Sequence, residues 1–254
     1  IEDRTAQDIA QEIDINYNVS AGKPFYGGFR RDLHLRKVKL IDHVELMLGF
    51  DYGYHHPACV ISYVDAKGRW VIYDFLFGED QLVKEFGEQC RDFLNVHFNG
   101  NPYISYGDPA GEQGTDKSEM TSKDLLKMIG FNVISRPSNE PESSYAGRKA
   151  IIEGKMKLLI DGIPALVIND IPRTQILVEA FEGGYRYPDA NSVGGIGIKP
   201  VHDDYYSHGM NAMEYIAVNA FKPIDKNKKL TFRRRIAFYD AQKKKNGGIH
   251  FGKN

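Results

Sequence analysis

The first half of the chain carries three apolar runs that predict neighbouring β-strands. Residues 44–51, 58–64 and 70–77 are rich in β-branched and aromatic side chains, and the turn sequence AKG stands between the last two runs. Runs of this length that are joined by short turns are typical of antiparallel strands. We therefore predict that the core opens with a three-stranded antiparallel meander.

A helix and a further strand follow the meander. Apolar residues three or four positions apart predict a helix over residues 79–98, and the sequence PYISYGD predicts a strand over residues 102–108. A helix between two strands favours a right-handed crossover, which places the new strand parallel to the first and beside it. Asp51 ends the first strand and Asp108 ends the new one. Because the ends of parallel neighbours point the same way, we expect the two carboxylates to lie side by side.

Shorter elements complete the pattern and indicate the fold class. The closing helix, which contains the sequence MNAMEYIAVNA, is entered through the polar sequence HDDYYSH. Polar residues 109–121 predict a loop, and the glycine-rich residues 183–200 predict a flexible hairpin or a loop. The remaining predicted elements are helices over residues 122–129, 145–159 and 171–181 and strands over residues 131–135 and 165–168. The whole predicts an α/β fold, with a mixed sheet of about five or six strands flanked by helices and the acids gathered at one end.

The charge distribution divides the chain into a body and a tail. The formal net charge of −1 hides a strongly basic end, because residues 222–254 carry eleven Lys or Arg against two Asp or Glu. The rest of the chain has 22 basic against 32 acidic residues, a net charge of −10. We predict a connector rich in Gly, Pro and aromatic residues over residues 1–42, one core domain over residues 43–221, and a basic tail over residues 222–254. The tail is either a solvated extension or a segment that binds the phosphate backbone of DNA.

Other sequence features exclude several classes of protein. The sequence has no apolar run long enough to span a bilayer, no signal peptide and no GxxxxGK[ST] phosphate loop, so the chain is not expected to bind membranes or to be an ATP-driven motor by itself. Cys59 and Cys90 fall in apolar patterns and are expected to be buried in a reducing compartment. Because the chain begins at Ile1 rather than Met, we expect a piece of a longer protein.

The acidic residues at the element ends are the candidate chemistry. Asp51 and Asp108 end strands, while Asp203 and Asp204 stand at the entry of the last helix. Each can be explained singly as a turn or capping residue. Gathered in a small volume, they would repel one another unless cations lay between them, and oxygen ligands suit Mg²⁺ or Mn²⁺. We therefore hypothesise a two-metal nuclease in which activated water attacks phosphorus in line and leaves a 3′-hydroxyl and a 5′-phosphate.

The order of these motifs resembles a known family. A strand ending in Asp51, a meander, a helix, a strand ending YGDPAG and a closing helix entered by HDDYYSHGMNAMEY are similar to the nuclease domain of bacteriophage terminase large subunits, which have an RNase H-like fold. The sequence QEIDINYNVSAGKPFYGGF resembles the segment that joins their ATPase domain to the nuclease. The resemblance covers residues 5–221, and it implies that residues 1–42 connect to an upstream ATPase domain.

The resemblance also implies roles for particular residues. Asp51, Asp108 and Asp204 match the three acids of the family, with Asp203 beside the last, and all four are expected to bind the two metal ions. His208 matches a histidine that lies near the metal. Many members have an aspartate where this chain has Asn211, which leaves open whether Asp203, Asp204 or both supply the third ligand.

Function and partners follow from the same resemblance. It implies cleavage of double-stranded viral DNA during genome packaging, with little sequence specificity, in the cytoplasm of the host cell. It implies as partners the upstream motor domain, the portal and the small terminase subunit. Basic residues that could contact DNA are Arg148, Lys199, Arg233, Arg234 and Arg235, although for Arg148 a solvated helix face is the favoured interpretation. The alternatives are another RNase H-like nuclease, such as a junction resolvase or a transposase core, and a non-catalytic DNA-docking module.

Overall fold

Apolar strands assemble into one mixed sheet in the computed structural model, which describes residues 23–52, 55–109, 120–188, 199–201 and 205–221. Seven strands in these ranges pair in the order β1-β9-β4-β3-β2-β5-β6. They are β1 (Leu35–Arg36), β2 (Leu46–Asp51), β3 (Ala58–Val64), β4 (Trp70–Phe77), β5 (Tyr103–Gly107), β6 (Val133–Ile134) and β9 (Leu166–Asn169). Strands β7 (Leu159–Ile160) and β8 (Ile163–Pro164) form a separate hairpin.

The pairing of the strands confirms the predicted meander and crossover. Strand β3 runs antiparallel to both β2 and β4, whereas β5 lies parallel to β2 on its other side. Strands β1, β9 and β6 also pair in parallel with their neighbours. The sheet has more strands than expected because the two-residue strand β1 is added at one edge beside β9. A sequence of two residues cannot be distinguished from a loop, because β1 is a strand only through its pairing with the distant strand β9.

Six α-helices accompany the sheet in the described ranges, and several are shorter than predicted. They are α1 (Arg31–His34), α2 (Val83–His97), α3 (Ser122–Ile129), α4 (Tyr145–Lys157), α5 (Gln175–Glu179) and α6 (Tyr206–Ala220). Helix α2 begins four residues later than expected, because Asp80 adopts a positive φ of 46° and donates its N–H to the His55 carbonyl. Helix α3 matches its prediction, and the Thr121 side chain caps it by accepting from the Asp124 N–H.

The two faces of the sheet support two layers of helices. Along β2, Leu46, Leu48 and Phe50 belong to the apolar cluster that includes residues of α2 and α3. Met47 belongs to the opposite cluster, which contains residues of α4, α5 and α6. Side chains alternate between the faces of a strand, so Asp51 lies on the same face as Met47, towards α6. The core is therefore a sandwich in which α6 covers the face that carries the first candidate acid.

A close approach between β2 and α6 depends on Gly49. A Cβ atom at this position would lie 2.0 Å from the Ala212 carbonyl oxygen and 2.7 Å from Cγ1 of Ile216. These distances are shorter than atoms tolerate, and the first partner is helix backbone that cannot rotate away. The absence of a side chain at Gly49 thus allows α6 to pack directly against the strand that ends in Asp51.

Part of the predicted connector packs into the domain core. Phe25 and Tyr26 are buried, and their rings contact Tyr185 on the α6 side of the sheet. Residues 31–36 then form α1 and β1. The described part of the connector therefore contributes to the fold, while the helix expected near residues 5–14 lies outside the described residues.

Two other sequence expectations concern the thiols and membranes. Cys59 and Cys90 are both free and buried, as predicted. In the portion of the chain that the structure describes, none of the helices has the length and apolar character needed to cross a bilayer. The described residues all fall in the first of two units into which the chain divides, Ile1–Phe221, and the second unit, Lys222–Asn254, lies outside the described ranges.

Candidate metal centre

The two strand-end acids meet at one edge of the sheet. Asp51 is the last residue of β2 and is 9% exposed, and Asp108 directly follows β5. The parallel register pairs Phe50 with Gly107, so the next position on each strand brings Asp51 beside Asp108. The predicted juxtaposition of these two acids is thus present in the backbone.

Helix α6 supplies polar groups to Asp51. The side-chain Nδ2 of Asn211 donates a hydrogen bond of 3.0 Å to Oδ2 of Asp51. Nδ1 of His208 lies 3.3 Å from the same oxygen, a contact that becomes an ion pair when the imidazole is protonated. The structure therefore places His208 next to the first candidate acid, and its position near a metal ion stays a prediction.

Tyr215 lies close enough to both candidate acids for their charges to act on its hydroxyl. Burial, reinforced by the nearby negative charges of Asp51 and Asp108, raises the pKa of Tyr215 well above its usual range. The phenol therefore stays protonated at neutral pH and remains a hydrogen-bond donor.

Three polar side chains of helix α6 follow a helical spacing. His208, Asn211 and Tyr215 lie three and then four residues apart, which places them on the same face of α6. The helix begins at Tyr206 rather than after His208, so the end of the polar HDDYYSH sequence already forms the first turn. Nearly the whole helix is buried, so these polar groups face the protein interior.

A buried ion pair lies behind this site. Glu214 is 0% exposed, and its Oε2 pairs with Nη1 of Arg148 on α4 at 3.1 Å. The Tyr26 hydroxyl donates a hydrogen bond of 2.6 Å to Oε1 of Glu214. Burial raises the pKa of Glu214 above its ordinary value, and the charge of Arg148 and the hydrogen bonds from Tyr26 and Tyr185 partly offset that effect.

Arg148 connects the ion pair to the acid site. Its guanidinium carbon lies 5.2 Å from the centroid of the Tyr215 ring and 5.4 Å from that of Tyr145. The Nε donates to the Ser143 carbonyl. The charge of Arg148 is therefore satisfied inside the protein, and the DNA contact considered for this residue stays a prediction.

The remaining predicted site residues are not brought to this edge by the described structure. Lys199 is exposed. Asp203, Asp204, Arg233, Arg234 and Arg235 lie outside the described residues, so their roles as ligands or DNA contacts stay predictions. Among the residues that are described, no group of three or more His, Cys, Asp or Glu side chains is arranged to hold a metal ion.

The side chains that are described nevertheless fit a divalent cation. Asp51 and Asp108 provide two carboxylates on neighbouring strands, and hard oxygen ligands of this kind suit Mg²⁺ or Mn²⁺. The Asp51 carboxylate also accepts a hydrogen bond from the neutral side chain of Asn211, which is how metal ligands are held in orientation. Asp51 and Asp108 could thus hold an ion, with the remaining ligands to come from Asp203 or Asp204.

Sequence reasoning missed three residues of this region: Tyr26, Glu214 and Tyr215. One signal was available, because Glu214 stands among apolar residues in the sequence NAMEYIAV, and a charge in a buried run requires a partner. No local signal identifies the partner. Tyr26 and Glu214 are 188 positions apart, so only the folded chain shows their hydrogen bond.

Comparison with known proteins gives structural matches alone. No family model matches the sequence, and no curated protein does. The large terminase of a thermophilic bacteriophage, solved in complex with ADP, matches over 78% of this chain with a TM-score of 0.57 and 16% identity. Another crystal form of the same terminase matches with a TM-score of 0.56 and 17% identity. The large terminase nuclease of thermophilic phage G20c with bound magnesium, which is 12% identical, matches over 78% of this chain and 96% of its own with a TM-score of 0.48.

At identities this low the matches show similarity of fold alone. This conclusion rests on the two crystal forms of the first terminase, whose TM-scores are 0.57 and 0.56. The match covers 45% of that terminase chain, so this chain spans less than half the length of the protein it resembles. The chain therefore has the mixed α/β, RNase H-like fold predicted from its sequence, and it shares that fold with the large terminase of a thermophilic bacteriophage.

Proposed function

We propose that the chain is a metal-dependent endonuclease that cleaves double-stranded viral DNA during genome packaging, with low sequence specificity. The observation that supports the proposal is the placement of Asp51 beside Asp108 at the carboxyl ends of two parallel strands, with Asp51 accepting a hydrogen bond from Asn211 on α6. Two carboxylates in adjacent positions repel each other in the absence of a cation. The shared fold with a large terminase supports the choice of DNA packaging as the context.

The chain's own residues would hold and orient the metal site. Asp51 and Asp108 provide carboxylate oxygens, and Asp203 and Asp204 are the candidates for the third acid. Two Mg²⁺ or Mn²⁺ ions would supply activation of water and stabilisation of the leaving oxygen in phosphodiester hydrolysis. Asn211, through its bond to Asp51, would keep that carboxylate in one orientation.

The partners of the chain are part of the same proposal. The greater length of the matching phage terminase suggests that this chain acts beside an upstream ATPase domain in the cytoplasm of the host cell. The portal and the small terminase subunit are the other proposed partners. Double-stranded DNA is the proposed substrate.

Cleavage by the purified chain tests the proposal directly. Supercoiled and linear double-stranded DNA should be cut in Mn²⁺ or Mg²⁺ and left intact in a chelator. Asp51→Asn and Asp108→Asn should each abolish cleavage, because each removes a negative ligand from the site, while far-ultraviolet circular dichroism remains that of the wild type.

A matched control separates the site from general surface charge. Asp92 is exposed on α2, the helix that covers the other face of the sheet, so Asp92→Asn should cleave like the wild type. Cleavage retained by Asp51→Asn or Asp108→Asn would contradict the assignment. A strong preference for four-way junctions over linear DNA would favour a junction resolvase, and DNA binding without any cleavage would favour a docking module.

A further inference from the structure

Glu214 is a charged side chain in the fully buried part of helix α6, and the candidate metal centre does not use it. Its Oε2 lies 3.1 Å from Nη1 of Arg148 on α4. Its Oε1 accepts a hydrogen bond of 2.6 Å from the hydroxyl of Tyr26 in the connector. The two partners belong to two other parts of the chain, so Glu214 links α6 both to α4 and to the connector.

Stability alone is a poor explanation for this buried ion pair. Removing two charges from water is costly, and apolar side chains of similar volume in place of a buried pair are often neutral or stabilising. A charged hydrogen bond, in contrast, requires a narrow range of distances and angles, whereas apolar surfaces can slide past each other. The pair between Glu214 and Arg148 is therefore better suited to fixing the position of α6 than to strengthening the fold.

The position of α6 matters to the candidate metal centre because the helix holds Asp51. Asn211, one turn before Glu214, donates to Oδ2 of Asp51 at 3.0 Å, and Nδ1 of His208 lies 3.3 Å from the same oxygen. Both contacts come from the same helix, so both change when it moves. The backbone hydrogen bonds of a helix make it stiff over one turn, so a displacement at Glu214 moves Asn211 by a similar amount. Hydrogen bonds of this kind span a range of only about half an ångström, so a small shift of α6 is enough to break one.

We propose that Glu214 is a positioning residue for the candidate metal centre, whose bonds to Arg148 and Tyr26 fix α6 so that Asn211 keeps its hydrogen bond to Asp51. The inference rests on the proposed function where it concerns metal binding, because it assumes that Asp51 is a ligand. Its effect on the contact between Asn211 and Asp51 exists in the metal-free protein as well. Loss of the bonds to Glu214 allows α6 to shift, which changes the orientation of Asp51 and lowers metal affinity.

The decisive variant replaces the three linked side chains by apolar ones. Tyr26→Phe/Arg148→Met/Glu214→Leu removes one positive and one negative charge, so the net charge of the chain does not change. Apolar replacement of a buried ion pair is often neutral or stabilising, so the melting temperature should stay close to that of the wild type. A role in stability alone would then leave the candidate metal centre undisturbed, whereas a positioning role would not.

The matched control removes another buried ion pair, on the other face of the sheet. Asp74 on β4 is 3% exposed, and its Oδ2 lies 2.6 Å from Nη2 of Arg173. The guanidinium of Arg173 packs on Phe93 of α2, 4.9 Å from the centroid of that ring, and Phe93 packs against the cluster that includes residues of α2 and α3. Asp74→Leu/Arg173→Met therefore makes the same chemical change away from α6.

Two measurements on the full chain read the position of α6. Nuclear magnetic resonance of the metal-free protein follows the side-chain amide of Asn211, which is assigned by its loss in Asn211→Ala. The triple variant should shift or broaden this resonance, and the control should leave it unchanged. Isothermal titration calorimetry measures Mn²⁺ affinity. The triple variant should bind Mn²⁺ roughly tenfold more weakly, the lower end of the range found when a partner of a metal ligand is lost, and the control should bind it as the wild type does.

A milder variant keeps the inference testable if the triple variant does not fold. Tyr26→Phe removes one hydroxyl, and it should change both readouts in the same direction by a smaller amount, because Arg148 still holds Glu214. Tyr63→Phe is its control, since the Tyr63 hydroxyl is bonded to the Lys39 carbonyl and Tyr63 pairs with Leu46 at the opposite end of β2 from Asp51.

The outcomes separate the inference from the proposed function. A wild-type Asn211 resonance in the folded variant, or an equal change in its control, would overturn the positioning role and leave the nuclease proposal standing. A changed resonance with wild-type Mn²⁺ affinity would overturn the role of Glu214 in metal binding. If the wild type neither binds Mn²⁺ nor cleaves DNA, the proposed function is wrong, whereas a changed resonance in the metal-free variant would still support the positioning of Asn211 by Glu214.

Discussion

Asn211 gives Asp51 a neutral hydrogen-bond donor where a second carboxylate would repel it. The distance of 3.0 Å from its Nδ2 to Oδ2 of Asp51 leaves no room for solvent between them. The resemblance to terminase nucleases suggested an aspartate near this position, and the structure shows what the amide does instead. Asn211 thus makes the site less negative than an aspartate at the same position would, while it occupies nearly the same space.

We expect Asn211→Asp to depend on metal more strongly than the wild type. In a chelator, two carboxylates in contact would lower the free energy of unfolding by about 1–3 kcal/mol, the cost of an uncompensated buried polar group. Added Mg²⁺ would relieve the repulsion and raise the melting temperature more than it does in the wild type. Thermal melts with chelator and with Mg²⁺ measure both effects. Asn95→Asp, on the exposed surface of α2, is the control and should respond as the wild type does.

At the scale of elements, the site depends on how closely α6 approaches β2. The helix lies so near the strand that its Ala212 carbonyl oxygen would be 2.0 Å from a Cβ atom at position 49. The strand carries the first acid two residues later, and the helix carries the two polar side chains that contact it. The packing of one helix on one strand therefore determines the geometry between His208, Asn211 and Asp51.

Gly49→Ala should disturb this contact. The added methyl group meets helix backbone, so α6 must move away, and overpacking of this kind costs about 1–3 kcal/mol of unfolding free energy. Chemical denaturation measures the loss. Gly154 on α4 has open space around its Cβ position, so Gly154→Ala serves as the control and should not destabilise the chain. Wild-type stability in Gly49→Ala would show that the close approach is not required.

The ion pair between α4 and α6 should make stability depend on pH once it is broken. Arg148→Met would leave Glu214 charged and buried at neutral pH, which costs about 3–5 kcal/mol. Burial already raises the pKa of Glu214 above its ordinary value of 4.5, and loss of Arg148 raises it further. A carboxyl group whose pKa is higher in the folded protein than in the unfolded chain stabilises the fold at pH values below its unfolded pKa. That stabilisation is lost as the pH rises through its folded pKa. The deficit relative to the wild type should therefore be large at pH 7 and shrink towards pH 4.5.

Denaturation at several pH values measures this dependence. The double variant Arg148→Met/Glu214→Gln removes the titrating group and should show a deficit that no longer varies over that interval. A deficit in Arg148→Met that stays constant from pH 7 to pH 4.5 would mean that Glu214 is not the source of the cost.

The elements could be predicted from the sequence where local pattern decides them. Strands β3 and β4 and helix α3 have the predicted bounds, because β-branched runs, helical periodicity and the Thr121 cap are local signals. The β7–β8 hairpin was missed although Asp161 and Gly162, both with positive φ, form a recognisable two-residue turn. The helical periodicity of the preceding residues extended to Leu159 and obscured it.

The candidate site was predictable only in part, for a similar reason. Strand ends and the crossover rule were enough to place Asp51 beside Asp108. The partners of Asp51 could not be assigned in that way, because the position of Asn211 against Asp51 depends on the packing of α6 over the sheet. Distant contacts of this kind are decided by the whole fold.

For the molecule as a whole, the uneven distribution of charge is the feature that bears most on DNA binding. A body with a net charge of −10 would repel a polyanion, whereas residues 222–254 carry a net charge of +9. Long-range attraction between a basic segment and DNA depends on salt because binding releases counterions. The affinity of the chain for DNA is thus expected to come largely from its last 33 residues.

Deleting residues 222–254 should weaken DNA binding and flatten its dependence on salt. Each phosphate contact that is lost reduces the slope of log affinity against log salt by about 0.9. Fluorescence anisotropy with labelled duplex DNA at several salt concentrations gives both values. A replacement tail of equal length made of Gly and Ser controls for size. An unchanged slope after deletion would show that the tail is a solvated extension.

The missing side chain at Gly49 also provides a way to recognise similar chains when overall identity has fallen to 16%. A query can require a glycine two positions before an acid at a strand end, followed later by a buried helix with His, then Asn or Asp, then Tyr at intervals of three and four. This pattern describes one packing contact between a strand and a helix and does not depend on overall sequence similarity. It can therefore be searched for in genomes where sequence alignment finds no match.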